Sequence, residues 1–165
     1  MSRNPTHSIE RILCPVDFAD PIESVNQFAS IMAKTWDALI CYLYCAYPDV
    51  VFGKREFDEL KKEEEEDLQK LRLIQPTIRG IRCEYQVEFG PAAACIVDYA
   101  SANDFDVIVV GTHGRKGIGR MFLGSVAEDV VRSADCPVVA IKSDAYVPVE
   151  VAPSRRKTTE GRRPR

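Results

Sequence analysis

Hydrophobic residues fall into two alternating patterns along this chain of 165 residues. Short continuous apolar runs are typical of strands buried on both faces of a parallel sheet, and apolar residues three and four apart are typical of amphipathic helices. The runs predict five strands, at residues 9–16, 38–46, 82–89, 107–110 and 137–142. The helical spacing predicts four helices, at about 20–37, 54–74, 92–102 and from 124 onward. Strands that alternate with helices predict an α/β fold, a five-stranded parallel sheet with helices on both faces.

Several positions refine this prediction. The third strand alternates apolar and polar residues, so we expect it near an edge of the sheet. Pro15 lacks an N–H group, so pairing of the first strand is expected to finish there. Pro21 is expected in the first turn of the first helix, and Pro76 is expected to close the second. The buried stripe of the fourth helix is expected to hold Val126, Ala127, Val130 and Val131.

The stretch after the fourth strand is rich in glycine. The apolar run 107–110 stops at Gly111, a glycine-studded loop follows, and the fourth helix begins at Gly124 and Ser125. Such an arrangement directs backbone N–H groups and a helix N-terminus at one point, where a phosphate is favoured. Asp17 ends the first strand, and it faces the same crevice if the first and fourth strands are neighbours at the switch point. The alternative is a flexible loop in which Ser125 caps the fourth helix, and Asp17 likewise can cap the first.

Two common nucleotide-binding signatures are missing. The chain has no GxxxxGK[ST] motif, which excludes the P-loop class. The first strand–helix turn, Cys14-Pro15-Val16-Asp17, has none of the glycines of a dinucleotide-binding fingerprint.

A third pattern fits. Gly111-Thr-His-Gly114, nine further residues and then Gly124-Ser125 match the spacing G-x2-G-x9-G-[ST]. With the first strand, 12–17, and the segment 136–139, this motif resembles the ATP-binding branch of the universal stress protein family. The resemblance covers about residues 8–142. It implies a strand order of 3-2-1-4-5, a dimer, and an adenine-nucleotide ligand, ATP or ADP, with Mg²⁺ held through the phosphates.

The resemblance also implies a set of binding residues. Asp17 would lie by the adenosine, and the backbone of Cys45 would meet the adenine edge. Gly111 would pass under the ribose. Tyr44 departs from the family, which often has histidine at that position. The expected site comprises Pro15, Val16, Asp17, Cys45, Gly111, Thr112, His113, Gly114, Gly124, Ser125 and Val126, the phosphates being held by Gly114, Gly124, Ser125 and Val126.

No catalytic residue or metal ligand of the protein is expected. His113 could act as a general acid on phosphate, but we favour a loop histidine held by a backbone hydrogen bond. The folded part contains no second histidine and no paired carboxylates nearby.

Charge and cysteine content narrow the partners and the compartment. The net charge is −3, but the twelve residues from Ser154 onward carry +5, which leaves −8 for the rest. An acidic body disfavours nucleic-acid binding apart from weak contact by the basic tail. The six cysteines form no CxxC pair, no N-terminal apolar segment resembles a signal peptide, and no apolar run approaches the length of a membrane helix. We therefore expect a cytoplasmic protein with core cysteines, including the Cys41 and Cys45 pair, rather than disulfides.

The organisation expected is a loose N-terminus at 1–7, a nucleotide-binding domain at 8–143, and an extended segment with a basic disordered tail at 144–165. The function expected is that of a homodimeric, ATP-binding stress-response regulator or sensor, dimerised through the edge strand Pro137–Lys142. Two alternatives stay open. One is a slow ATPase on the same site, and the other is a dimeric interaction or chaperone-like module that needs no nucleotide.

Overall fold

Five parallel strands form the sheet of this computed structural model, which describes residues 8–18, 21–46, 57–112 and 124–142, with only the backbone at 57–59. The strand order is β3-β2-β1-β4-β5, which confirms the predicted α/β fold and topology. The strands are β1 (Arg11–Val16), β2 (Leu39–Ala46), β3 (Cys83–Phe89), β4 (Val107–Gly111) and β5 (Val138–Ile141). The helices are α1 (Glu23–Trp36), α2 (Phe57–Leu71), α3 (Ala92–Ala102) and α4 (Ser125–Ser133).

The helices cover both faces of the sheet. Side chains of α1, with Leu71 of α2, pack with Ile12, Cys14, Tyr42 and Val109 on one face. On the other face, side chains of α3 and α4 pack with Leu13, Cys41, Leu43 and Ile108. The alternation of neighbouring strand residues between the two cores explains why β1, β2 and β4 are apolar along their whole length. The alternating strand β3 lies at an edge of the sheet, as predicted.

Pro15 limits the pairing of β1 on one side only. The backbone N–H and C=O groups of successive β1 residues point alternately toward β2 and β4. Those of Arg11 point toward β4, because its carbonyl oxygen accepts from the Asp106 N–H at 3.0 Å. Pro15 therefore also faces β4, and the missing N–H explains why that register ends at Leu13↔Ile108. On the β2 side the register continues to Val16↔Tyr44, so the prediction that all pairing finishes at Pro15 was wrong for that side.

Two helix boundaries differ from the prediction. α1 begins at Glu23 with Ile22 as its N-cap, so Pro21 lies before the helix and not in its first turn. Asp17 is likewise not the cap of α1. α2 ends at Leu71, several residues before Pro76. A network made by Tyr85 holds the chain after α2, since its hydroxyl donates to the Ile74 carbonyl oxygen and accepts from the Gln75 amide, both at 2.7 Å.

The buried stripe of α4 is narrower than predicted. Ala127 and Val130 are buried, whereas Val126 and Val131 are 38% and 49% exposed. The short helix packs on α3 and β5 at one end of the sheet, so only one line of its residues meets other elements.

The six cysteines are free, and Cys14 and Cys41 are buried. Within the described ranges, no helix combines the length and apolar character that crossing a membrane requires. The expectations for residues 1–7, for most of the glycine loop and for residues 143–165 lie outside the described residues.

Candidate functional site

A cavity of about 350 Å³ opens at the carboxyl ends of β1, β2 and β4. Its volume falls within the range of roughly 300–1,000 Å³ that is usual for small-molecule sites. The N-terminal ends of α3 and α4 and the segment from Pro21 into α1 complete its wall. The strand order reverses between β1 and β4, so the cavity lies at the switch point where open α/β sheets bind ligands.

Most of the expected binding residues meet in this cavity. Those lining it are Pro15, Val16, Asp17, Cys45, Gly111, Gly124, Ser125 and Val126. Thr112 is buried next to the cavity but does not line it. His113 and Gly114 lie outside the described residues. The structure therefore brings together residues from positions 15 to 126.

The beginning of α4 is fixed by a backbone hydrogen bond and not by a side-chain cap. Gly124 is the N-cap, and its N–H donates to the carbonyl oxygen of Thr112 at 2.8 Å. Ser125 is the first helical residue and makes no cap hydrogen bond, so the alternative in which Ser125 caps the helix was wrong. Since the Gly124 N–H is engaged, the first-turn N–H groups available to a ligand are those of Ser125, Val126 and Ala127.

Thr112 connects three elements beneath the cavity. It follows β4 directly, and its N–H donates to the Ile141 carbonyl oxygen of β5 at 2.8 Å. Its own carbonyl oxygen receives the Gly124 N–H of α4. Thr112 therefore positions the start of α4 relative to the sheet edge through its backbone. The sequence motif contains Thr112 but gives no sign of this role.

An aromatic pair includes one residue of the cavity wall. Phe18 is 40% exposed, and its ring centroid lies 4.4 Å from that of Tyr44, a cavity-lining residue. The Lys70 ammonium lies 6.0 Å from the Phe18 ring centroid and is paired with Asp67 of α2 at 2.8 Å. Burial, and then the negative charges of Asp67 and Asp17, raise the pKa of Tyr44. This tyrosine hydroxyl therefore stays protonated at neutral pH.

The wall on the α3 side carries two neighbouring thiols. Cys45 lines the cavity, and its thiol hydrogen-bonds to that of Cys95 in the first turn of α3. Burial and the neighbouring Cys95 raise the pKa of Cys45 to about 12. Both groups are therefore neutral thiols at physiological pH and contribute no charge to the cavity.

The residue-by-residue prediction missed part of the wall. Ala92 and Ile96 come from α3, and Pro21, Ile22 and Val25 come from α1 and the turn before it. The available signal was positional, because helices that follow parallel strands begin at the carboxyl edge of the sheet. No group of three or more His, Cys, Asp or Glu side chains suited to a metal ion occurs among the residues that the structure describes.

The fold and cavity define a doubly wound α/β protein with a cavity of small-molecule size at the switch point. The family model of the universal stress protein family matches residues 8–142, so the chain belongs to that family. Universal stress protein MJ0531 of Methanocaldococcus jannaschii is 32% identical over 147 residues, which cover 85% of this chain and 86% of the relative.

Solved structures share the fold. The hypothetical protein MJ0577 is similar with a TM-score of 0.70 and 24% identity, over 82% of this chain and 97% of that one. A universal stress protein in complex with cAMP gives a TM-score of 0.63 at 21% identity, over 82% and 98% of the two chains. The universal stress protein from Archaeoglobus fulgidus in complex with dAMP gives 0.56 at 24%, over 82% and 100%. At these identities the likeness establishes the fold.

Proposed function

We propose that this protein binds an adenine nucleotide, ATP with Mg²⁺, and acts as a homodimeric regulator or sensor in the stress response. The observation that carries the proposal is the single cavity into which Asp17, Cys45, Gly111 and the first turn of α4 all project. This geometry supplies an apolar enclosure at one side and a helix N-terminus at the other. A nucleotide has the matching polarity, a flat base at one end and an anionic group at the other.

The α4 side suits phosphate. First-turn N–H groups have no acceptor within a helix, and the helix dipole favours an anion there by about 0.3–1 kcal/mol. Ser125 is exposed and is not the N-cap residue of α4, so its hydroxyl adds a donor beside these N–H groups. Gly111 and Val25 both line the cavity, and a Cβ at Gly111 would be in ordinary contact with a methyl carbon of Val25 at 3.4 Å.

The opposite side suits adenosine. Pro15, Val16, Leu43 and Ile96 give an apolar wall, with the Asp17 carboxylate as an anchoring acceptor. Sites for small molecules commonly pair an apolar lining with a few polar groups in this way. The cAMP and dAMP complexes of two proteins with the same fold support an adenine ligand here. The motif G-x2-G-x9-G-[ST] supports the choice of ATP among adenine nucleotides.

We propose binding rather than rapid turnover. Asp17 is the carboxylate among the described lining residues, and no second acid or histidine accompanies it in that described set. The described wall thus offers a cradle for phosphates without an evident group that activates water. Mg²⁺ would be held mainly by the phosphate oxygens, as is usual for this ion. The free cysteines suit the cytoplasm as the proposed location.

The homodimer is proposed to form through β5. This strand pairs with β4 on one side, and in the described chain its other edge has no neighbour. The Pro137 and Ile141 carbonyl oxygens face β4, so the alternation directs the N–H groups of Val138 and Ala140 to the open edge. An open apolar edge strand is prone to pair with another chain, and a second copy offers the same edge.

The test compares two substitutions at one backbone position. Gly124 has φ −58° and ψ 151°, which any residue can adopt, so both Gly124→Asp and Gly124→Asn should fold. The two side chains have the same size, and only the aspartate repels phosphate. Calorimetry with Mg-ATP should give at least about tenfold weaker binding for Gly124→Asp than for Gly124→Asn, which corresponds to about 1.4 kcal/mol.

Purified wild-type protein should also release ATP or ADP on denaturation, and Gly124→Asp protein should not. Wild-type protein that is empty and fails to bind added Mg-ATP would contradict the proposal and favour the nucleotide-free interaction module. Steady phosphate release that disappears with Gly124→Asp would instead favour the slow ATPase.

A further inference from the structure

Cys45, which lines the cavity, forms a thiol pair with Cys95 of α3. Cys45 lies near the end of β2 and pairs in register with Glu88 of β3. Cys95 lies in the first turn of α3, where its N–H donates to the Pro91 carbonyl oxygen at 3.0 Å. An electrostatic interaction links the Cys45 thiol to the Cys95 thiol. The two thiols are thus neighbours, although their elements are fifty positions apart in the sequence.

The turn before α3 makes room for this pair. Gly90 has φ +144°, which side-chain-bearing residues rarely adopt, and its N–H donates to the Ala46 carbonyl oxygen at 2.9 Å. A Cβ at Gly90 would lie only 2.9 Å from the Cys95 sulfur. The glycine therefore lets the Cys95 side chain lie against the turn, next to the end of β2. The local backbone holds the thiol pair in place.

Three of the other four cysteines are in different surroundings. Cys14 and Cys41 are fully buried, in the cores on opposite faces of the sheet. The Cys83 sulfur lies 3.3 Å from the Tyr85 hydroxyl, with which it hydrogen-bonds. Cys45 and Cys95 are each of intermediate exposure, and Cys45 lines the cavity, so a small oxidant that enters the cavity can reach the pair.

We propose that Cys45 and Cys95 are a redox modification site, which a hydroperoxide converts into a reversible disulfide that weakens ligand binding in the cavity. The effect on the ligand rests on the proposed nucleotide function, whereas the formation of the bond does not. Disulfides in reducing compartments are usually of this transient kind.

The reaction balances with hydrogen peroxide as the oxidant. One thiol loses its proton, and the thiolate sulfur attacks a peroxide oxygen. The O–O bond breaks, and a sulfenic acid and water result. The second sulfur then attacks the sulfenic sulfur, the S–O bond breaks, and a second water leaves with the remaining proton. Two thiols and one hydrogen peroxide give one disulfide and two waters, and a dithiol reductant reverses the change.

Cys95 is the sulfur that attacks first. Burial and the Glu88 carboxylate raise the pKa of Cys95, but the hydrogen bond from Cys45 lowers it and stabilises the thiolate. Burial raises the pKa of Cys45 to about 12, so this cysteine remains the proton donor and acts second. Because thiolate is scarce at pH 7, the reaction should be slow there and faster as the pH rises.

The disulfide should change the cavity. A disulfide brings two sulfur atoms to about 2.05 Å, which is at least about 1 Å closer than a hydrogen-bonded thiol pair. The bond would draw the first turn of α3, with Ala92 and Ile96, toward the end of β2. Since all these residues line the cavity, the wall moves inward. We expect roughly tenfold weaker binding of Mg-ATP, equivalent to about 1.4 kcal/mol.

The test maps the bond directly in the full chain. Protein is treated with hydrogen peroxide, free thiols are blocked, and the sample is cleaved after Lys, Arg and Glu without reduction. Cleavage places Cys95 alone in peptide 89–115, and Cys41 and Cys45 together in peptide 35–54. Fragmentation spectra of the linked pair should place the bond on Cys45. Cys95→Ser should abolish the linked pair, and Cys83→Ser should leave it unchanged.

Two results would overturn the proposal. One is a peroxide-treated wild type in which Cys45 and Cys95 stay free thiols or form only higher oxides. The other is a disulfide that forms fully while Mg-ATP binding in calorimetry stays within twofold of the reduced protein. If reduced protein does not bind Mg-ATP at all, the proposed function fails, and the peptide map still decides whether the modification site exists.

Discussion

The Gly124 N–H donates to the carbonyl oxygen of Thr112 at 2.8 Å, and this bond joins the two ends of the segment 113–123. Thr112 is in turn held to β5 through its N–H and the Ile141 carbonyl oxygen. The start of α4 is thus positioned by the sheet edge. The bond also reserves the Gly124 amide for the fold, so phosphate would be held by the next N–H groups of the helix.

Substitutions at Gly124 should change nucleotide binding without lowering the stability of the fold. Asp and Asn are favoured N-cap residues, and the helix now has no side-chain cap. Gly124→Asp and Gly124→Asn should therefore leave the free energy of unfolding unchanged or raise it by a few tenths of a kcal/mol. Urea denaturation without nucleotide measures this. A loss of more than about 1 kcal/mol in either variant would show that the site needs glycine for another reason.

The dimer should depend on one outward N–H of β5. Ala140→Pro removes an N–H that faces the open edge and leaves the pairing with β4 intact, and proline is tolerated at edge strands. We expect this variant to run as a monomer in size-exclusion chromatography with light scattering, while wild type runs as a dimer.

Ala140→Ser is the matched control and should stay dimeric, because it keeps the N–H. Val139 is a poorer test position, since its side chain packs against the core that α1 covers, and a charge there would disturb folding. A dimeric Ala140→Pro protein with wild-type helicity would exclude strand pairing at this position as the interface.

Tyr42 should stabilise the core through its hydroxyl. This group is fully buried and donates to the Asn26 side-chain oxygen at 2.5 Å, and the Asn26 amide nitrogen donates to the Gln75 carbonyl oxygen at 2.8 Å. Tyr42→Phe leaves a buried acceptor without its donor, so the free energy of unfolding should fall by about 1–2 kcal/mol. Urea denaturation provides the value.

Tyr44→Phe serves as the comparison for Tyr42→Phe. Tyr44 is half-buried, and its hydroxyl makes no hydrogen bond to the described residues. Its removal should change the free energy of unfolding by less than about 0.5 kcal/mol. Equal losses in the two variants would mean that the Tyr42–Asn26 bond has no net stabilising effect.

Alkaline pH should destabilise the fold through buried thiols. Burial raises the pKa of Cys41 from its ordinary value of 9.0 to about 11. Between pH 9 and pH 11 the unfolded chain releases the Cys41 proton and the folded chain keeps it. The free energy of unfolding is therefore unaffected by this group below pH 9 and falls as the pH rises toward 11. One such group contributes a slope of up to about 1.4 kcal/mol per pH unit.

The slope of the free energy of unfolding against pH can be measured by urea denaturation from pH 8 to 10.5 in the presence of a reductant. Cys41→Ala should reduce the slope, whatever its effect on absolute stability. Ile108→Val, a conservative change in the same core, should lower stability and keep the full slope. Equal slopes in wild type and Cys41→Ala would contradict the shift.

The order of strands and helices was predictable because the apolar residues of each element follow a regular spacing. Runs such as 107–110 are apolar throughout only when both faces are buried, and β4 is. The start of α1 was less predictable. Pro21 fits a first turn by its local preference, yet the helix begins at Glu23. Local propensity alone does not fix the residue at which a helix begins, and predicted boundaries commonly differ from observed ones by one or two residues.

The cavity was predictable where a motif or a strand end marks it, as at Asp17, Gly111 and Gly124. The contribution of α3 was not, because Ala92 and Ile96 look like ordinary core residues in the sequence. The neighbour of Cys45 shows the same limit. Spacing along one strand singled out Cys41, whereas the thiol that meets Cys45 belongs to α3 and is brought there by the fold.

Pro15 lines the cavity at a point where β1 and β4 are no longer paired. Other residues at this position would have an N–H group to donate toward β4. Proline has none, so the covalent structure itself prevents a further hydrogen bond between β1 and β4. A ligand bound beside Pro15 therefore breaks no hydrogen bond between β1 and β4. Association at this edge therefore should not wait on an opening of the sheet between β1 and β4.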